Sequence, residues 1–399
     1  MLQEIYQLVQ QIEQAKKADT KGGEDIAVQV DKSEVVERLR GLYEAKARRL
    51  PDDRAAMFDH LFLNLSDGID AATRRNLATT LAMYPRAPQG IVGKLVQDED
   101  PGVAEPLLAS ALRIEERLLE TVAQKRGQKH LRALAGRGEI GERITTPIAR
   151  RGDDETVLAL SFNRSARFSE EGFDILSERA RANAILRSVV CARPDMPAAQ
   201  FDMLLGLDGA LVCEEFDAEY GDAVLSGEML VAIVSAAMGD GGPTRFSRAM
   251  MAASFDYVAM RALQRSVRQA DLERWLRRRQ YEDAIAGLAI LSAIPPEYVQ
   301  RLIVADSLYP AAMLVKAIGF EWATLKPFWQ IRSEAGVGQE PPHEVYEVFD
   351  AIDTLTARRL MRHVALREKI IAFPEVELPE NVWPVDIVPD EGRPDRRVA

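Results

Sequence analysis

The chain has 399 residues, 47% hydrophobic and 28% charged, an ordinary globular composition with ample material for a core. Its net charge of -11 argues against bulk attraction to nucleic acid or anionic lipid, although it leaves room for a local basic patch. Only two cysteines, Cys191 and Cys213, occur, with no CxxC and no Cys/His cluster. That argues against structural zinc, and no run of about 18 apolar residues suggests a membrane-spanning helix.

Residues 1–31 read as a short amphipathic helix (Leu2, Ile5, Val9, Ile12) and a polar linker containing Gly22-Gly23. The N-terminus lacks the charged and apolar regions of a secretory signal, so a reduced cytoplasm is the expected location. Apolar spacing predicts a helix over 32–49, capped by Ser33, and another after Pro51 carrying Phe58, Leu61, Phe62 and Leu65. Asp70 or Thr73 caps a third, through Leu77 and Leu81.

From here two ladders interleave. One reads Val92/Leu95, Leu118/Val122, Ile144/Ile148, Phe173/Leu176, Phe201/Leu204, and the other Leu81, Leu107, Leu134, Leu158, Leu186, Val212. Two helical ladders with one shared period are the pattern of stacked helix pairs. The joints repeat as well. Prolines close one helix and open the next at Pro85/Pro88, Pro194/Pro197 and Pro295/Pro296.

Between about 220 and 280 the period blurs, with helices expected over 229–238, 246–258 and 272–279. The ladder resumes with Leu288, Val299/Leu302, Leu314 and Leu325/Phe328. A loop over 333–342 precedes a last helix over about 343–373, and a tail with a proline every five residues reads as extended. The expected fold is an all-α, HEAT-like α-solenoid of short helix pairs with a less regular helical C-terminal part. Its segments are the N-terminal helix and linker (1–31), the repeats (32–220), a helical region continuing the array (221–373) and the Pro-rich tail (374–399).

The joint at 85–88, the segments 148–157 and 161–171, and the later stretches 275–288 and 317–322 resemble a family of HEAT-like helical-repeat proteins. That family is found mainly in alphaproteobacteria and is known only as a domain of unknown function. The resemblance covers roughly 60–335. It implies the fold and brings no catalytic residues.

The strongest chemical feature is an arginine-rich stretch, 245–279, with nine arginines against three acids. The spacing of Arg261, Arg265 and Arg268 predicts one helix face, and Arg277 and Arg278 follow it. Arginine forks favour carboxylate or phosphate, and Trp275 beside them is placed to stack on a partner. Trp322 and Trp329, in a second aromatic cluster, are candidate contact anchors. An acidic stretch, 208–222, lacks the spacing of a calcium loop and is a candidate complement to the arginines, within one chain or between two copies.

The four histidines are scattered, and no GxSxG, HExxH or Cys–His arrangement supports catalysis. The reading is a non-enzymatic protein–protein scaffold or adaptor without cofactor or metal, its expected partner another protein, an acidic one included, or a second copy. The alternatives are a nucleic-acid-binding solenoid using 245–279, disfavoured by the acidic charge, and a regulator binding a small anion or nucleotide at 277–279.

Overall fold

A computed structural model describes residues 32–49, 52–110, 113–221, 225–239, 248–262, 267–334 and 342–370. The N-terminal helix expected over 1–31 and the tail 374–399 therefore lie outside the described residues. Among those described, the chain is all-helical, with 21 α-helices and no strand. It divides into two compact units, Met1–Leu176 and Ser177–Ala399. That division falls inside the segment 32–220, which the sequence presents as one array.

The first unit holds α1 (Lys32–Glu44), α2 (Asp52–Leu65), α3 (Ala71–Ala82), α4 (Gln89–Val96), α5 (Pro101–Leu108), α6 (Glu116–Lys125), α7 (Gln128–Ala135), α8 (Glu142–Arg151) and α9 (Asp154–Phe162). Each helix from α1 to α7 packs on the helix two further along. The two ladders fall on the two rows this makes. Leu81, Leu107 and Leu134 belong to α3, α5 and α7, while Val92/Leu95, Val122 and Ile144/Ile148 belong to α4, α6 and α8, and all of these are buried. Leu118 and Leu158 are only half-buried, because α6 turns Leu119 and α9 turns Val157 and Leu160 inward instead.

Polar side chains close the helix ends at the same interval. Arg126 donates to the carbonyl of Gln97, Arg137 to that of Leu108, Arg151 to that of Ala123 and Asn163 to that of Ala135, at separations of 29, 29, 28 and 28 residues. The last carbonyls of α4, α5, α6 and α7, left without partners inside their own helices, are thus satisfied by the following layer. At the other pole, Asp59 on α2 accepts from the backbone N–H of Gly90 (2.9 Å) and Ile91 (2.7 Å) and caps α4, whose own N-cap is Pro88. Asp70 caps α3 through Thr73 (2.9 Å), one of the two residues the sequence offered. Ser33 instead sits in the first turn of α1, where its hydroxyl accepts the N–H of Asp70 (3.3 Å).

Helix α10 (Glu170–Ala182) spans the division, and α11 (Ala184–Cys191) and α12 (Ala198–Tyr220) follow. The sequence assigns Leu204 and Val212 to separate ladders; the structure puts both on α12, a single 23-residue helix. Gly206 and Gly209 do not break it, and Asp208 and Gly209 serve packing. A Cβ at Gly209 would lie 2.9 Å from the ring of His363.

After α13 (Gly227–Gly239) come α14 (Arg248–Ala262), α15 (Gln269–Arg277), α16 (Tyr281–Ser292), α17 (Pro296–Val304), α18 (Tyr309–Ile318), α19 (Lys326–Glu334), α20 (Pro342–Ala351) and α21 (Thr354–Arg367). Packing on the helix two further along returns at α14 with α16, α16 with α18 and α17 with α19. Arg332 caps α17 through the carbonyls of Ile303 (2.9 Å), Ala305 and Asp306 (2.8 Å). The single helix expected over 343–373 is two, because Asp353 caps α21 at the N–H of Thr356 (2.7 Å). Helix α21 then packs against α11, α12, α13 and α18. This long-range closure has no counterpart in the ladders.

Candidate functional site

The described arginines of the strip do not lie on one helix face. Helix α14 ends at Ala262, and Arg268 is the extended N-cap residue of α15, its N–H donating to Asp271 (3.2 Å). Arg261 and Arg268 therefore do not share a helix face, and Arg265 lies outside the described residues. Arg261 donates to the Tyr257 hydroxyl (3.0 Å), a bond that holds its guanidinium above the ordinary range, with Asp271 and Asp283 adding to the effect. Arg274 pairs with Asp271 at 3.4 Å. Part of the strip thus faces local acids. Arg277, Arg278 and Arg279 are exposed at the C-terminal end of α15, and no ion pair reaches them among the described residues. A helix C-terminus favours cations there.

Trp275 is not available to stack on a partner. It is 6% exposed and packs on α16, where a Cβ at Gly287 would lie 2.8 Å from its ring. Apolar burial on α15 is what turns it inward, beside Leu272 and Leu276. Trp322 is half-buried and meets Tyr346 and Phe349 edge-on, at centroid distances of 5.2 and 5.3 Å. Trp329 is half-buried against the core. Of this aromatic group, Tyr346 is the exposed member.

Among the described residues of the second unit, α14 presents an exposed apolar face. Met250, Tyr257 and Met260 are 53%, 49% and 63% exposed and share one side of the helix, while Met251, Val258 and Ala262 are buried on the other. Sequence reasoning missed this face. A legible signal existed, since the adjacent pairs Met250-Met251 and Tyr257-Val258 supply more apolar positions than one helix face can bury.

Among the described residues of one chain, the acidic stretch meets α21 and not the arginine strip. Glu215 pairs with Arg359, and Glu219 accepts from the Thr356 hydroxyl (2.6 Å) and the Asp353 N–H (2.9 Å). Asp208, on the buried side of α12, accepts from Arg187 Nε (2.8 Å) and pairs with His363 Nδ1 (3.1 Å). Burial pushes the Asp208 carboxyl up, but hydrogen bonds from His363 and Arg187 and the Arg187 charge outweigh it, and the carboxyl ends below its ordinary value. Cys191 lies in electrostatic range of the same carboxylate. Burial and that negative charge push its thiol up to about 12. A raised thiol is the opposite of a nucleophile prepared as thiolate. The grouping is a buried polar clamp joining α11, α12 and α21.

Among the described residues, no three His, Cys, Asp or Glu side chains come together as metal ligands, and no helix is long and apolar enough to cross a membrane. No curated protein and no solved structure matches the chain. The model of one family matches residues 103–363, from α5 to α21, and on that evidence the chain belongs to DUF2336, described as an uncharacterised protein conserved in bacteria.

Proposed function

We propose that this protein is a non-enzymatic interaction scaffold or adaptor of the bacterial cytoplasm, with helices α1 to α9 forming a HEAT-like α-solenoid. Support for the solenoid is the packing of each helix from α1 to α7 on the one two further along, together with four capping bonds that each span 28 or 29 residues. The observation that carries the function is the α14 face. Tyr257 and Met260 stand exposed beside Arg261, and the run Arg277–Arg279 precedes the helix on which α14 packs. Tyr, Met and Arg are the residue types enriched where proteins meet. The raised thiol of Cys191 and the commitment of His363 and Asp208 to the clamp support a non-catalytic reading.

The test is affinity capture of the full chain from its own cell extract, with and without nuclease, against a Tyr257→Glu/Met260→Glu variant. A protein partner that survives nuclease and is lost with the variant is the expected result. Partners released by nuclease would replace this reading with nucleic-acid binding through Arg277–Arg279. Capture unchanged by the variant would remove α14 as the contact surface.

A further inference from the structure

Tyr257 and Met260 on α14 and the arginine run fit an occupant that offers both apolar and acidic groups. Within 371–391 the chain carries Glu375, Glu377, Glu380, Asp386, Asp390 and Glu391 and no lysine or arginine. The same stretch interleaves Val376, Leu378, Val382, Trp383, Val385, Ile387 and Val388. Four prolines, at 374, 379, 384 and 389, keep it from forming a helix and favour an extended, preorganised strand of chain.

The point of departure also fits. Glu368, near the end of the described chain, accepts from Ser235 on α13, and its carboxylate lies 3.1 Å from where a Cβ at Gly239 would stand. The chain therefore leaves from the C-terminal end of α13. Helix α17 packs against both α13 and α14, and its Arg301 donates to the Met238 carbonyl (3.0 Å). Two interhelical steps of about 10 Å each separate the exit from α14. At about 3.1 Å per residue, the chain from 371 to Trp383 spans roughly 40 Å, enough to cross that distance.

At the receiving end, Arg261 lies in electrostatic range of Asp283 in the first turn of α16, the helix that directly follows the arginine run. The C-terminal end of α14 and Arg277–Arg279 thus approach the same end of α16. Opposite charges there select an acidic peptide over a neutral one.

We propose that the segment 375–391 of the same chain docks on the exposed face of α14, with Trp383 against Tyr257 and Met260 and its carboxylates meeting Arg277, Arg278 and Arg279. The surface assigned above to a partner is then covered in cis, and a partner must compete with the tail; that consequence alone rests on the scaffold reading. The tail acts as an intramolecular ligand at the high effective concentration a short tether provides.

The experiment places the photo-crosslinking residue p-benzoylphenylalanine at position 383 of the full chain and maps the product by mass spectrometry. The expected product has the mass of one chain and joins position 383 to a peptide containing 250–260. Its yield should fall severalfold in an Arg277→Glu/Arg278→Glu/Arg279→Glu variant, whose helical circular dichroism is recorded alongside as the folding control. A product joining two chains, a crosslink elsewhere, or none would overturn the proposal. Because this reads the tail without any partner, its failure is separate from failure of the capture experiment.

Discussion

At the residue scale, the most consequential side chain is Asp208. It sits nearly buried between Arg187 and His363, both themselves about 5% exposed. Neutralising one member of such a group strands the others without compensation, at a cost of about 3 kcal/mol. Asp208→Asn is therefore expected to lower unfolding stability by about that amount at neutral pH, measured by urea denaturation. The sign of the pH effect follows from its depressed carboxyl. The folded state binds that proton less readily than the unfolded chain, so the stabilisation is full above the ordinary value of 3.8 and is lost as pH falls through the lower folded value. Urea midpoints followed from pH 6 to pH 2 should show a steeper acid loss in the native sequence than in Asp208→Asn. Gly209 and Gly287 belong to the same scale. Each is glycine because a ring, of His363 or Trp275, occupies the space a Cβ would need. Nothing in the sequence marks them, since the ring that excludes a side chain comes from another helix.

At the scale of elements, helix ends carry much of the specificity. Arg332 is 2% exposed and serves three carbonyls at the end of α17. Arg332→Met keeps the bulk and removes the donors, leaving buried acceptors unpaired, and is expected to cost about 3 kcal/mol by thermal or urea unfolding. Helices α12 and α13 cross so closely that a Cβ at Gly227 would lie 2.6 Å from Cys213 Cα and 2.8 Å from its carbonyl oxygen. Backbone cannot give way as a flexible side chain can. Gly227→Ala should cost about 1–3 kcal/mol in the same assay, although alanine is the better helix former. The break between α20 and α21 was legible in Asp353 and Thr356, an N-cap residue and its recipient three positions on; continuous apolar spacing through Val348, Ile352 and Leu355 masks it.

At the scale of the whole molecule, the α14 face separates stability from recognition. Tyr257 and Met260 project away from the core, so Tyr257→Glu/Met260→Glu should lower unfolding free energy by no more than about 1 kcal/mol, loss of the proposed tail contact included, while abolishing partner capture. A larger loss in urea denaturation would mean that Tyr257 and Met260 belong to the folded core. The helical character, and the burial of most rungs on α3 to α8, were readable from spacing alone. Burial there comes from layers that follow one another in sequence, so a 3.6-residue pattern within each helix and a common interval between helices carry the information. The second unit was not readable in this way. Leu288, Val299, Leu302, Leu314, Leu325 and Phe328 are buried as the resumed ladder predicts. Yet α21 reaches back to α11, α12 and α13, and its partners Arg187, Asp208 and Glu215 look like ordinary surface charges until they are brought to it. Periodicity records which face of a helix avoids water. It holds no record of which distant helix supplies the cover, and the buried clamp, the fate of Trp275 and the exposed side of α14 all depend on that choice.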